Sequence, residues 1–184
     1  MAPVQALPVP EKRFSHIHVD LVGPLPTSAS GHTHLLTIVD RSTRWVEAVP
    51  VSSTTATSVS DHLVDSWISR FGIPSTITSD RGRQFTSQVW ADLCASLNIV
   101  QRQTTAYHPQ SNGMVERVHR RLKEALKELQ AGPRWLEHLP WVLFGLRTAP
   151  REDTGVSAAE LVYGSQLALP GQLPATALLL AQWP

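Results

Sequence analysis

The stretch STITSDRGRQFTSQVWADLCASLNIVQRQT, residues 75–104, decides the fold. It opens on a short β-type run ending at Asp80, crosses the loop Arg81-Gly82-Arg83, and enters a helical pattern from Ser87 to Leu97. Asn98 to Thr104 then reads as a strand again. Upstream the pattern differs. Residues 16–22 (HIHVDLV), 34–40 (HLLTIVD) and 44–50 (RWVEAVP) read as three strands, rich in β-branched and aromatic residues, with the last two close enough for a hairpin. Residues 55–70 switch to helical spacing, with Val59, Leu63, Ile68 and Phe71 near one face, and Gly72 and Pro74 close that helix. Downstream, the loop Ala106 to Gly113 leads into a long helix that ends near Gly132-Pro133. A helix from Trp135 to Arg147 and a short one from Ser157 to Val162 follow. Strands in a meander, then strands alternating with helices, predict an α/β domain: a five-stranded mixed sheet flanked by helices.

Three acidic residues stand out against this framework. Asp20 ends the apolar run IHVD before the turn Gly23-Pro24, Asp80 ends the fourth strand, and Glu116 lies in the first turns of the long helix. Any single carboxylate among the 15 acidic residues is more often solvated surface than ligand. Strand ends beside glycine turns, however, are where open α/β sheets place their ligand sites. Three carboxylates that converge need cations to offset their repulsion, and hard divalent cations take oxygen ligands. The arrangement predicts a two-metal phosphoryl-transfer site, with Asp20, Asp80 and Glu116 as both catalytic and metal-binding residues. His108 and His119 are possible ligands, but magnesium disfavours imidazole and neither is assigned.

The long helix reads as two faces. Val115, Val118, Leu122, Ala125 or Leu126, and Leu129 form the expected buried stripe. Glu116, Arg120, Lys123 and Lys127 recur at spacings of four, three and four on the outer side. Alone, such a stripe is an ordinary solvated face with i,i+4 ion pairs; beside a metal site it becomes a track for phosphates. Ser111 or Asn112 is expected to cap the helix N-terminus.

These segments resemble a family. TTAYHPQSNGMVERVHRRLKEAL (104–126), HVDLVGPLP (18–26) and ITSDRGRQFTS (77–87) are similar to the catalytic stretches of retroviral and LTR-retrotransposon integrases. TGVSAAELVYG (154–164) is similar to the closing segment of gypsy-class cores, with Ala158 and Ala159 where a proline and an aromatic are commoner. The resemblance covers roughly residues 12–164. It implies a ribonuclease H-like fold, two Mg2+ or Mn2+ ions, and 3′-end processing followed by strand transfer into target DNA. It further implies DNA contacts from Tyr107, Gln110, Asn112, Arg120 and Lys123, a homodimer or higher multimer, and action on host DNA in the nucleus. A nuclease of the same fold and a domesticated, non-catalytic binding module are the alternatives. Residues 1–11, with three prolines, are expected to be an extended linker, and residues 165–184 a tail of no assigned role. One cysteine cannot supply the paired His and Cys ligands of the family's zinc module, so the chain is expected to be an isolated core.

Composition constrains the rest. With 184 residues, 42% of them hydrophobic, the chain fits one domain with an ordinary core. No run of residues is apolar enough to span a membrane. The net charge of +1 gives little support to nucleic-acid binding, but five Arg or Lys between Arg117 and Lys127 concentrate positive charge next to Glu116. Cys94, in the apolar pattern of a helix, reads as a core residue, as do most of the six tryptophans, Trp90, Trp135 and Trp141 among them.

Overall fold

The computed structural model of the protein describes residues 12–104 and 109–170, with side chains throughout except at 109–112. Five strands form one sheet: β1 (His16–Val22), β2 (His34–Asp40), β3 (Val46–Val51), β4 (Thr76–Ser79) and β5 (Val100–Gln103), in the order β3-β2-β1-β4-β5. The meander β1-β2-β3 is antiparallel, and β4 and β5 join it parallel, so the sheet is mixed. This is the ribonuclease H-like arrangement.

Alternation along the strands splits the core in two. Ile17, Val19, Leu36, Ile38 and Ile77 face one layer. That layer comprises α1 (Ala56–Leu63), which continues through a π-helical stretch (Val64–Ile68) into α2 (Ser69–Phe71), together with α3 (Gln88–Ser96). Trp67 and Trp90 fill it, fully buried, and Ala158 and Ala159 of α6 (Ala158–Tyr163) pack at its edge. Val22, Leu35, Val39, Val46 and Ala48 belong to the opposite core, covered by α4 (Pro109–Glu128) and α5 (Trp135–Thr148) through Leu122, Leu126, Trp135 and Leu139. Cys94 is buried and its thiol is pushed up to about 11 by that burial, which suits a core residue and not a nucleophile.

Four expectations need correction. β3 begins at Val46, not at residue 44, because Arg44 takes a left-handed φ of 65° and its N–H closes a turn on Asp40 O at 2.9 Å. α4 begins at Pro109, so Ser111 and Asn112 lie inside its first turn instead of capping it; proline favours the first helical position, where no N–H is needed. Leu129 leaves the buried stripe and is 48% exposed just past the end of α4, whereas Met114 near the other end is buried. Trp141 is 47% exposed on the outer face of α5, stacked edge-on against Phe144.

Candidate active site

Strand register places the first two carboxylates together. β1 and β4 run parallel with His16 opposite Thr76, Ile17 opposite Ile77 and His18 opposite Thr78, a constant offset of 60. Two residues further on, that offset sets Asp20, two residues before the end of β1, beside Asp80, just past the end of β4. Asp20 is on the face that carries α4, because β1 alternates and Ile17 and Val19 point to the other core. From α4, Glu116 reaches the same place. All three carboxylates line one cleft of about 120 Å³, with His18, Thr78, Thr104 and His119.

Backbone N–H groups hold the pair in place. Leu21 N–H donates to Asp20 Oδ1 and Gly82 N–H donates to Asp80 Oδ1, each at 2.8 Å. A Cβ at Gly82 would stand 2.5 Å from Gln84 Nε2 and 3.0 Å from Asp80 Oδ1, so a larger residue there would have to displace both side chains. The Asp20 carboxyl is raised to about 6 by burial first, with the neighbouring Asp80 raising it further and Lys123 lowering it. A carboxylate that burial and a like charge push towards its neutral form is one that a cation would stabilise.

A polar network that sequence reading missed lies behind Asp20. Thr37 sits opposite Asp20 on β2 and donates its hydroxyl to Asp20 O at 3.3 Å. Thr37 Oγ1 also lies 2.7 Å from His119 Nε2, and His119 Nδ1 stands 3.6 Å from Asp20 Oδ2. Burial, then Lys123, lowers His119 to about 4, so at neutral pH this contact is not an ion pair. His18, 4% exposed, also lines the cleft, and among the described residues its Nε2 has no hydrogen-bond partner. Period-two alternation through His16, His18 and Asp20 was the signal that could have found it.

The donor set suits a hard divalent ion: carboxylate oxygens predominate, and Asp20 and Asp80 form a close like-charged pair. Among the described residues no three His, Cys, Asp or Glu side chains are already gathered around one point. Glu116 is exposed where it lines the cleft. Arg120, Lys123 and Lys127 are exposed on the same side of α4, as the spacing predicts, and Lys123 is near enough to act on Asp20. Tyr107, and the side chains of Gln110 and Asn112, lie outside the described residues.

The order of this sheet, with helices on both its faces, defines a ribonuclease H-like core. The model of the family described as Integrase core domain matches residues 10–109, more than half of the 184, and the chain belongs to that family. The match includes Asp20 and Asp80 and stops short of Glu116, whose place in the cleft rests on α4. The chain is 39% identical over 151 residues to the Gag-Pol polyprotein of avian reticuloendotheliosis virus, covering 81% of this chain and 13% of that one. It is 29% identical over 170 residues to the Retrovirus-related Pol polyprotein from transposon 412 of Drosophila melanogaster, covering 91% and 14%. It therefore spans a small part of these relatives. The catalytic core domain of BIV integrase superposes with a TM-score of 0.65 at 26% identity, over 80% of this chain and 93% of that one. The HTLV-2 integrase catalytic core domain, solved in complex with magnesium, shares the fold with a TM-score of 0.63 at 20% identity, over 80% and 95%.

Proposed function

We propose that this chain is the catalytic core of a DNA-joining enzyme, which removes terminal nucleotides with water and then directs the new 3′-hydroxyl onto a phosphodiester of target DNA. The observation that carries the reading is the convergence of Asp20, Asp80 and Glu116 on one cleft at the ends of β1, β4 and the start of α4. Two Mg2+ or Mn2+ ions held by these carboxylates would activate the attacking oxygen and offset charge on the leaving oxygen. Asp20, Asp80 and Glu116 would hold these ions through their carboxylate oxygens. The backbone N–H groups of Leu21 and Gly82 fix one oxygen of each aspartate. His119, held neutral, keeps the wall behind Asp20 polar without adding a cation that would compete for it. Arg120 and Lys123 hold the DNA backbone along α4, and Tyr107, Gln110 and Asn112 approach the DNA end. The HTLV-2 core, solved in trimeric form with magnesium, and a simian T-cell lymphotropic virus intasome support the metal and a multimeric assembly; action on host DNA would place the chain in the nucleus.

The test is an assay with labelled DNA ends, a target duplex and magnesium. Joined products in the wild type and none with Asp80→Asn, at unchanged circular dichroism, are expected. Cleavage without joining assigns the chain to the hydrolytic nucleases of this fold. Full activity in Asp80→Asn removes that residue from the site.

A further inference from the structure

A second cavity, three times larger at about 370 Å³, lies on the other flank of α4. Four guanidiniums line it: Arg44 from the β2–β3 turn, Arg117 and Arg121 from α4, and Arg151 from the segment after α5. Its floor is apolar, made by Val46, Met114 and Leu146 among others. Two carboxylates stand at the rim. Asp153 is held by Arg151 at 2.6 Å, and Glu152, its side chain 95% exposed, is 4.0 Å from Arg121. Among the described residues, Arg44 and Arg117 have no ion-pair partner, so the cavity keeps an excess of two positive charges (four guanidiniums less two carboxylates).

Arg44 is held there against its own preference. It is half-buried, and burial followed by the charges of Arg151 and Arg117 lowers its guanidinium from the ordinary value. Its left-handed φ of 65° closes the hairpin at a place where glycine or asparagine fits without strain. Its Nη1 donates to Arg41 O at 2.9 Å and lies against Met114 Sδ, which turns the head group into the cavity. Strained backbone and crowded like charges coincide at this point of the cavity.

We infer that this cavity binds a nucleotide unit of a single strand, its phosphate on Arg44, Arg117 and Arg121 and its unpaired base on the apolar floor. Planar guanidinium forks match phosphate oxygens two at a time, and only an unpaired base can lay its face on Met114 and Leu146. The cavity's size suits one such unit. Continuity along α4 favours nucleic acid over an acidic peptide. At about 100° per residue, Arg120, Arg117 and Arg121 step round the helix from the carboxylate cleft to this cavity, an unbroken cationic band. The choice of a DNA strand as the source rests on the joining function proposed above; the site itself does not.

The test is salt-dependent binding of the whole chain to oligothymidylate, to an abasic strand of the same length, to thymidine 5′-monophosphate and to polyglutamate. Oligothymidylate should bind more tightly than the abasic strand. Arg117→Gln/Arg121→Gln should lower affinity roughly fivefold at 0.1 M salt and reduce the slope by about 0.7, the value for one phosphate contact on a single strand. Arg44→Gly, which relaxes the backbone, should weaken binding while the protein stays folded. Equal binding of the abasic strand, equally effective competition by polyglutamate, or an unchanged slope in the double variant overturns the inference. Monophosphate binding as strong as that of the strand supports the site and makes free nucleotide its source. Absence of DNA joining with Arg117- and Arg121-dependent binding intact sinks the joining function alone.

Discussion

Asp20 is a residue whose charge the fold disfavours, and that has a measurable consequence. Its folded value of about 6 lies above the ordinary 3.8, chiefly through burial and secondarily through Asp80. Above pH 6 the carboxyl is ionised in both the folded and unfolded chain, and only the folded state bears the cost. As pH falls from 6 towards 4 the folded state takes up its proton first, so stability rises in that window and levels off below it. Asp20→Asn should therefore be more stable than the wild type at pH 7 with chelator present, by about 1–3 kcal/mol, and its stability should be flatter between pH 4 and 6. The upper figure is a ceiling, because the Asp20 side chain is 31% exposed and water screens part of the penalty. Urea denaturation at pH 5 and pH 7 checks it, and equal stability of the two proteins at pH 7 removes the strain from Asp20. The variant gains stability by losing the group on which the proposed chemistry depends, a common trade at active sites.

At the scale of elements, α5 is pinned to the edge strand by charge as well as packing. Arg147 donates to Val46 O at 2.9 and 2.8 Å, pairs with Glu47 at 2.8 Å, and lies 4.4 Å over the Trp45 ring. Glu47 also accepts from Trp45 Nε1 at 3.0 Å and is 3.6 Å from Arg70. Glu47→Ala should cost about 3–5 kcal/mol because it leaves a buried guanidinium uncompensated, and a Glu47→Leu/Arg147→Leu pair should cost less than its two parts combined. Denaturant midpoints of the three proteins decide this; single changes worth under about 0.5 kcal/mol would place the pair among ordinary surface ion pairs. The sequence could not show this clamp, since its partners are far apart in the chain. It did show what short-range pattern controls. β1, β2 and β4 were legible because their alternation faces a two-sided core, and with them the strand-end positions of Asp20 and Asp80. The start of α4 was not: Gly113 and the polar run before it have no apolar period, and Pro109 marks the first turn only in retrospect. α5 is apolar nearly all round, so nothing local said that Trp141 would be the residue left outside. The arginine cavity was invisible for a third reason, as it is assembled from a turn, a helix and a loop that only the tertiary fold unites.

On the scale of the whole molecule, the carboxylate cleft is a seam between layers. Asp20 and Asp80 belong to the sheet, Glu116 to α4, and between them the described residues supply no covalent or ionic link. An ion bound by all three would tie the two layers together, and by linkage it would stabilise the folded state alone. At a concentration ten times its dissociation constant this is worth about 1.4 kcal/mol, or a rise in Tm of roughly 3–6 °C for a chain of this size. Magnesium should thus raise the Tm of the wild type in a saturable way and leave that of Asp20→Asn and Asp80→Asn unmoved. Glu116→Gln separates the layers' contributions: with the aspartate pair intact it should keep a smaller rise that needs more magnesium. A wild-type Tm indifferent to millimolar magnesium would show that these carboxylates do not hold the ion in the isolated chain. A full rise in Glu116→Gln would show that the sheet binds it without help from α4.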